Sequence, residues 1–318
     1  MSSLILRVNG RASLTKTVTI TQQLTNPVDI FFLADTTGSM GSAIANVRSN
    51  VAAIIAATAG LSPNTYYGIG EYKDVGDSFV YRLNQSMTNV VADVQAGVNQ
   101  WGAAGGGDTP EAGIYALQRA AADTATGWRT GSAKLLFFFG DAISHDPVNG
   151  STEASAIAAL NARGVKTTGV DVGSMNSTGQ VTRIAAATGG QALSGSISQI
   201  SSIIQAAINT SLTSYSSVSL ETLGLLPGLN VVFTPGSYSG VYDRGAARDF
   251  TFNVSFTGVT PGTYDFSINA KVDGITGATE TGHIVVTSST GGGGAVPEPS
   301  AFLLAGLGLV AFAMVKRR

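Results

Sequence analysis

The stretch Asp29-Ile30-Phe31-Phe32-Leu33-Ala34-Asp35-Thr36-Thr37-Gly38-Ser39-Met40-Gly41 decides the fold. Its run Ile30 to Ala34 is apolar on both faces of an extended chain, as in a strand covered on both sides. A polar loop follows at Asp35 to Gly41, and Ser42 to Ala59 then carries Ala and larger apolar residues at helical spacing. A doubly buried strand, a loop at its carboxyl end and a helix form one unit of a parallel α/β sheet. The pattern recurs outward from this unit. Strands are expected at Tyr66 to Tyr72, Ser78 to Leu83, Lys134 to Gly140 and Lys166 to Val172, with helices over Val90 to Trp101, Glu111 to Ala122, Thr152 to Arg163, Gln180 to Ala187 and Ile197 to Ile208. The run Leu135 to Phe139 is as apolar as Ile30 to Ala34, so these two strands are expected at the sheet's centre. Residues 28–214 therefore read as an α/β domain, a doubly wound, mostly parallel sheet of Rossmann-like character.

Beyond Ser214 the period changes from helical spacing to strict alternation. Phe250, Phe252, Val254 and Phe256 alternate with polar residues, as do Tyr264, Phe266, Ile268, Ala270 and Val272, and Gly282 to Thr287 supplies a further strand. Pro261-Gly262 and Asp273-Gly274 mark the turns. Residues 215–287 thus read as an all-β sandwich domain. Residues 1–27 hold one more alternating segment, Val18 and Ile20 among threonines, which is expected to join that sandwich and make the α/β domain an insertion within it. Residues 288–295 are a Gly/Ser linker, SSTGGGGA.

Composition narrows the function classes. The chain has 318 residues, 44% of them hydrophobic and only 12% charged, with a net charge of −2. Ordinary domains carry about 25% charged residues. Clustered Lys and Arg for phosphate contacts are missing, so no nucleic acid is expected as partner. With no cysteine, disulfide scaffolds, thiolate zinc sites and cysteine nucleophiles are all excluded.

In an open α/β sheet the ligand site lies outside the carboxyl ends of the strands, so the Asp35 loop sits where function is expected. Asp35, Thr37 and Ser39, spaced by two, can aim three hard oxygens at one point, a set suited to Mg²⁺, Mn²⁺ or Ca²⁺. Two more acidic loops flank predicted elements: Gly105-Gly106-Gly107-Asp108-Thr109-Pro110-Glu111, and Asp141 directly after the second central strand. A lone D-x-T-x-S string often does no more than cap a helix. Three acidic loops on one sheet edge form a stronger pattern.

Together these segments resemble the metal-ion-dependent adhesion site of the von Willebrand factor type A family, including the integrin β I-like domain. The D-x-S-x-S signature stands here as Asp35, Thr37 and Ser39, with threonine in the first hydroxyl position. Asp108-Thr109-Pro110-Glu111 is similar to the D-x-P-E segment of β-integrins, and Asp141 matches the Asp after the family's fourth strand. The resemblance implies a metal set of Asp35, Thr37, Ser39, Glu111 and Asp141, with Thr109 as an alternative ligand. It implies Mg²⁺ or Mn²⁺ as cofactor and an open coordination position that takes a carboxylate from a protein or matrix ligand. Gly68 to Asp74 resembles a β-integrin strand ending in an auxiliary-site acid, so Asp74 and Asp108, with Glu111, form a candidate second site for Ca²⁺. β-Integrins also use the inserted-domain arrangement.

Two other function classes stand beside adhesion. A hydrolase with Ser39 as nucleophile would need a base nearby, and the two histidines, His145 and His283, are its candidates, whereas a metal-dependent hydrolase would use a bound cation to activate water. His145, four residues past Asp141, is expected to be a solvated loop residue. A passive structural matrix protein would use the same fold without a ligand.

Residues 296–318 read Val-Pro-Glu-Pro-Ser, then an apolar run from Ala301 to Val315, then Lys316-Arg317-Arg318. This ending closely resembles the PEP-CTERM sorting signal of Gram-negative bacteria. It implies export, transient anchoring of the apolar segment in the inner membrane, cleavage by an exosortase, and delivery to the cell surface or extracellular matrix. Met1 to Gly10 has no apolar secretory core, so the export reading expects an earlier start or a longer parent chain.

Overall fold

A computed structural model describes residues 4–20, 27–59, 62, 64–288 and, for the backbone alone, 313–316. The chain opens with β1 (Leu4–Arg7) and β2 (Arg11–Ile20). The α/β elements follow as β3 (Val28–Asp35), α1 (Gly41–Ala59), β4 (Thr65–Tyr72), β5 (Tyr81–Thr88), α2 (Val91–Asn99), α3 (Gly113–Ala122), β6 (Ala133–Gly140), α4 (Glu153–Arg163), β7 (Val165–Asp171), α5 (Gln180–Thr188), β8 (Ala192–Ser194) and α6 (Ile200–Thr213). The chain then returns to strands: β9 (Ser214–Leu223), β10 (Leu229–Thr234), β11 (Ser237–Asp243), β12 (Arg248–Gly258), β13 (Gly262–Val272), β14 (Ile275–Thr287) and β15 (Ala313–Lys316).

The six-stranded α/β sheet has the order β5-β4-β3-β6-β7-β8, parallel except for β5. The two strands expected at the centre, β3 and β6, lie side by side there, and every residue of β3 is buried. Phe31, Leu33, Leu136 and Phe138 on one face pack with Ala116, Leu117 and Ala120 of α3 and with Leu160 of α4. Each large apolar side chain so buried contributes about 1.5–3 kcal/mol relative to exposure. Strand β5 starts three residues later than the sequence pattern suggests. It is an antiparallel edge strand, half-buried at most positions, so only Tyr81, Leu83 and Met87 touch the core and no apolar run marks it.

At the amino end of β3 the carboxylate of Asp29 is fully buried. It accepts from Arg129 Nε (2.6 Å), Arg129 N–H (2.7 Å) and Ser132 Oγ (2.7 Å), and the guanidinium lies 3.8 Å from the Tyr66 ring centre. A charge taken out of water needs such full pairing. All the functional loops leave the opposite, carboxyl end of the sheet.

The remaining strands form two sheets, β1-β14-β13-β9-β11 and β10-β12-β2-β15, which together make a curled β domain. Their core joins Val18, Ile20, Phe250, Phe252, Val254 and Phe256 from one sheet to Leu4, Leu6, Tyr264, Phe266, Ile284 and Val286 from the other. The alternation in β12 and β13 matches their alternating burial. Strand β2 pairs antiparallel with β12 over ten residues, from Arg248↔Ile20 to Thr257↔Arg11. By contact density the chain divides into residues 1–25 with 213–318, and residues 26–212, so along the sequence the α/β unit interrupts the β unit. Strand β11 is largely exposed, and β10 alternates mostly between half-buried and exposed positions, so neither carries a strong apolar alternation in the sequence.

Among the described residues no helix is long and apolar enough to cross a membrane. The linker after Ser288, and the sorting segment apart from the backbone of β15, lie outside the described residues.

Candidate metal centre

Strand β3 ends on Asp35, and the chain turns at once into α1, so the Asp35 side chain and the Thr37–Ser39 hydroxyls share one small loop. Asp35 Oδ1 accepts from the Thr37 amide (2.9 Å) and from Thr37 Oγ1 (2.7 Å). Thr37 Oγ1 and Ser39 Oγ are 3.4 Å apart, and Ser39 Oγ donates to Asp141 Oδ1 at 3.1 Å. Four side chains from two loops thus form a continuous line of hard oxygens. Asp141 follows β6, and its backbone carbonyl accepts from Ser174 N–H (2.7 Å) and Ser174 Oγ (3.0 Å). Ser174 belongs to a loop that Asp171 ties down through the amides of Gly173, Met175 and Asn176.

Glu111 closes the set from a third loop and is only 2% exposed. Its amide donates to Ile143 O and its carbonyl accepts from the His145 amide, both at 2.8 Å, which ties it to the segment after Asp141. Gly106 permits the close approach. Its φ is +68°, and a Cβ there would lie 2.6 Å from Thr37 Cβ and 2.8 Å from Glu111 Oε1.

The electrostatics follow from this crowding of acids in a buried place. Burial pushes the Asp35 carboxyl up to about 6, against the lowering effect of the two Thr37 hydrogen bonds, and Asp141 raises it further. Burial first, then the charges of Asp35, Asp74, Asp77 and Asp141, push Glu111 up to about 8. One oxygen of each, Asp35 Oδ2 and Glu111 Oε2, is buried without a hydrogen-bond partner. Unpartnered buried carboxylate oxygens beside neutral hydroxyls are what a hard divalent cation would satisfy. Among the described residues no three acidic or histidine side chains are arranged to hold a metal by themselves, so any fit depends on the hydroxyls of Thr37 and Ser39.

The other sequence candidates are placed differently. Asp74 is buried at the same edge, with Oδ1 3.3 Å from His145 Nε2. Asp108 and Thr109 are both exposed. Motif comparison missed Asp77, whose Oδ2 accepts from the amides of Asp74 (3.1 Å) and Gly106 (3.0 Å). The turn string Asp74-Val75-Gly76-Asp77 was the available signal. Lys73 is a candidate in none of the motifs either. It is 4% exposed, and its ammonium donates to the carbonyls of Thr36, Gly102 (3.0 Å) and Ala104 (2.5 Å), fastening the glycine-rich loop to the Asp35 loop.

The fold is a mostly parallel α/β sheet, with acids and hydroxyls gathered at its carboxyl edge, that interrupts a separate β unit along the sequence. The chain belongs to the von Willebrand factor A domain family, whose sequence pattern matches residues 29–197, just over half of it. Residues 295–318 match the PEP-CTERM protein-sorting motif, which marks the chain for export and exosortase processing in Gram-negative bacteria. No curated protein matches the chain. Among solved structures, a von Willebrand factor type A protein from Catenulispora acidiphila aligns at TM-score 0.50 and 14% identity, covering 89% of this chain and 71% of that one. The pilus adhesin SpaC from Lactobacillus rhamnosus GG, in its open conformation, aligns at 0.43 and 11% identity over 87% of this chain and 45% of its own. Proximal thread matrix protein 1 from the mussel byssus aligns at 0.45 and 13% identity over 64% and 48%.

Proposed function

We propose that this exported protein binds a carboxylate-bearing protein or matrix ligand through one divalent cation, Mg²⁺ or Mn²⁺, held by Asp35, Thr37, Ser39, Asp141 and Glu111. The observation that carries the reading is the unbroken line of oxygens from Asp35 through Thr37 and Ser39 to Asp141, with Glu111 closing over it. A bound ion would supply an electrophilic position to which the partner's carboxylate bonds directly. The chain's own contribution is to keep that position electrophilic, because Thr37 and Ser39 are neutral donors where further carboxylates would quench the charge. A second, Ca²⁺-type position at Asp74, Asp108 and Glu111 is left out of the reading, because among the described residues no three acidic side chains are grouped to hold an ion. Exposed Asp108 is the weakest member of the set expected there.

Hydrolysis is the less favoured reading. Ser39 Oγ donates to Asp141, and His145 Nε2 lies against Asp74, so the serine and the histidine are engaged in separate pairs. Asp35→Ala is expected to abolish Mn²⁺ binding by calorimetry and EDTA-sensitive retention on the native cell envelope. Mn²⁺ binding unchanged in that variant overturns the assignment. Retention unaffected by EDTA leaves only a passive matrix role.

A further inference from the structure

The chain's own sorting segment occupies the edge of a sheet in the β unit. Strand β15 pairs antiparallel with β2, from Ala313↔Ile20 to Lys316↔Thr17, and is the last strand in the order β10-β12-β2-β15. It lies within residues 295–318, the motif that marks the chain for exosortase processing. Anchored in a membrane, or cut away near Val296 to Ser300, that segment leaves β2 as the sheet's edge with an outward row of unpaired N–H and C=O groups. Among the described residues, no strand lies on that side of Arg11 to Lys16.

Edge strands are ordinarily blunted by shortness, bulges, proline or charge. The other edge strands of the two β sheets follow this rule: β1 has four residues, β10 has six and is followed by Pro235, and β11 breaks register between Ser239 and Tyr242. Strand β2 has ten residues, no proline and an unbroken register with β12. Its solvent face is Arg11, Ser13, Thr15, Thr17 and Thr19, and its other cation, Lys16, is buried and paired with Glu280, so beyond its first residue that face carries no charge. Strand β15 shows that this edge accepts a strand running antiparallel. We propose that the β2 edge, freed of the sorting segment, pairs antiparallel with β2 of a second copy about a two-fold axis, joining the two sheets into one of order β10-β12-β2-β2-β12-β10. In a register centred on Thr15, Thr15 faces Thr15, Ser13 faces Thr17 and Arg11 faces Thr19, so no cation meets a cation. The second copy needs the lane beside Thr17 to Ile20 that β15 takes, so the sorting segment blocks the pairing while it is seated there. This surface is independent of the metal centre.

The test uses the full-length chain carrying a specific protease site in place of Gly291–Gly294, before and after cutting, with the released segment removed by gel filtration and EDTA present throughout. By sedimentation the uncut chain is expected to be a monomer and the cut chain a dimer. The sequence has no cysteine, so Thr15→Cys supplies the only thiol. On oxidation the cut Thr15→Cys chain should form a disulfide-linked dimer, and the uncut chain should not. Thr15→Lys sets like charges opposite each other at an exposed position outside the β15 pairing, and should raise the dissociation constant of the cut dimer about fivefold or more with the melting temperature of the monomer unchanged. A cut chain that stays monomeric, or an uncut chain as dimeric as the cut one, overturns the proposal. A cut dimer that neither cross-links through Thr15→Cys nor weakens with Thr15→Lys forms through another surface and overturns it too. Species larger than a dimer overturn the two-fold pairing, because they require β2 of one copy to meet a different edge of the next.

Discussion

At pH 7 the proposed site holds a proton that a divalent cation bound there would displace. Glu111 titrates at about 8 because it is buried among Asp35, Asp74, Asp77 and Asp141, so at pH 7 only about one molecule in eleven carries it ionised. Asp35, at about 6, is already mostly ionised there. An ion held by both carboxylates therefore releases close to one proton at pH 7, nearly all of it from Glu111. The apparent affinity should fall about tenfold per pH unit below 8, and more steeply below about 6 as Asp35 protonates too. Calorimetric Mn²⁺ titrations in buffers of different ionisation enthalpy give the proton count, and a series from pH 5.5 to 9 gives the slope. Glu111→Gln should abolish the release and flatten the profile above pH 6.5. Heats independent of buffer, together with constant affinity from pH 6 to 8, would refute the reasoning, because Glu111 would then be ionised before the ion arrives or would lie outside its reach.

The same raised values fix the sign of the metal-free stability. Where the folded carboxyl titrates above its unfolded value the native state holds more protons, so stability falls as pH rises from about 4 to about 8. Urea unfolding in EDTA at pH 5 and pH 8 should show the loss, and saturating Mn²⁺ should remove it. Gly106→Ala forces a side chain into a left-handed conformation costing about 1–2 kcal/mol and against Thr37 and Glu111, and is expected to weaken Mn²⁺ binding more than tenfold by calorimetry. Arg129→Ala leaves the carboxylate of Asp29 buried without its cation at the opposite sheet edge, and should cost about 3–5 kcal/mol in urea unfolding while Mn²⁺ affinity stays unchanged.

Much of the α/β fold was legible because its two central strands are apolar on both faces, and five-residue runs such as Ile30 to Ala34 have few other uses. The edge strand β5 and strands β10 and β11 were not, since a strand that buries little carries little hydrophobic signal. Asp35, Thr37 and Ser39 were legible as a local motif because one loop holds all three. Asp77 and Lys73 were not, because each acts through atoms distant in sequence: the Gly106 amide, and the Gly102 and Ala104 carbonyls.

The sequence by itself determined the family, the sorting tail and the loops that carry the candidate oxygen ligands, all of them properties of short contiguous strings. Only the tertiary structure decided that Ser39 meets Asp141 across 102 positions of chain, that Glu111 closes over Thr37 at Gly106, and that one oxygen of each of Asp35 and Glu111 is buried without a partner. The physical reason is that ligand geometry and burial are set by sheet register and by where glycine leaves room. Those quantities arise when separated segments pack, and no single segment encodes them.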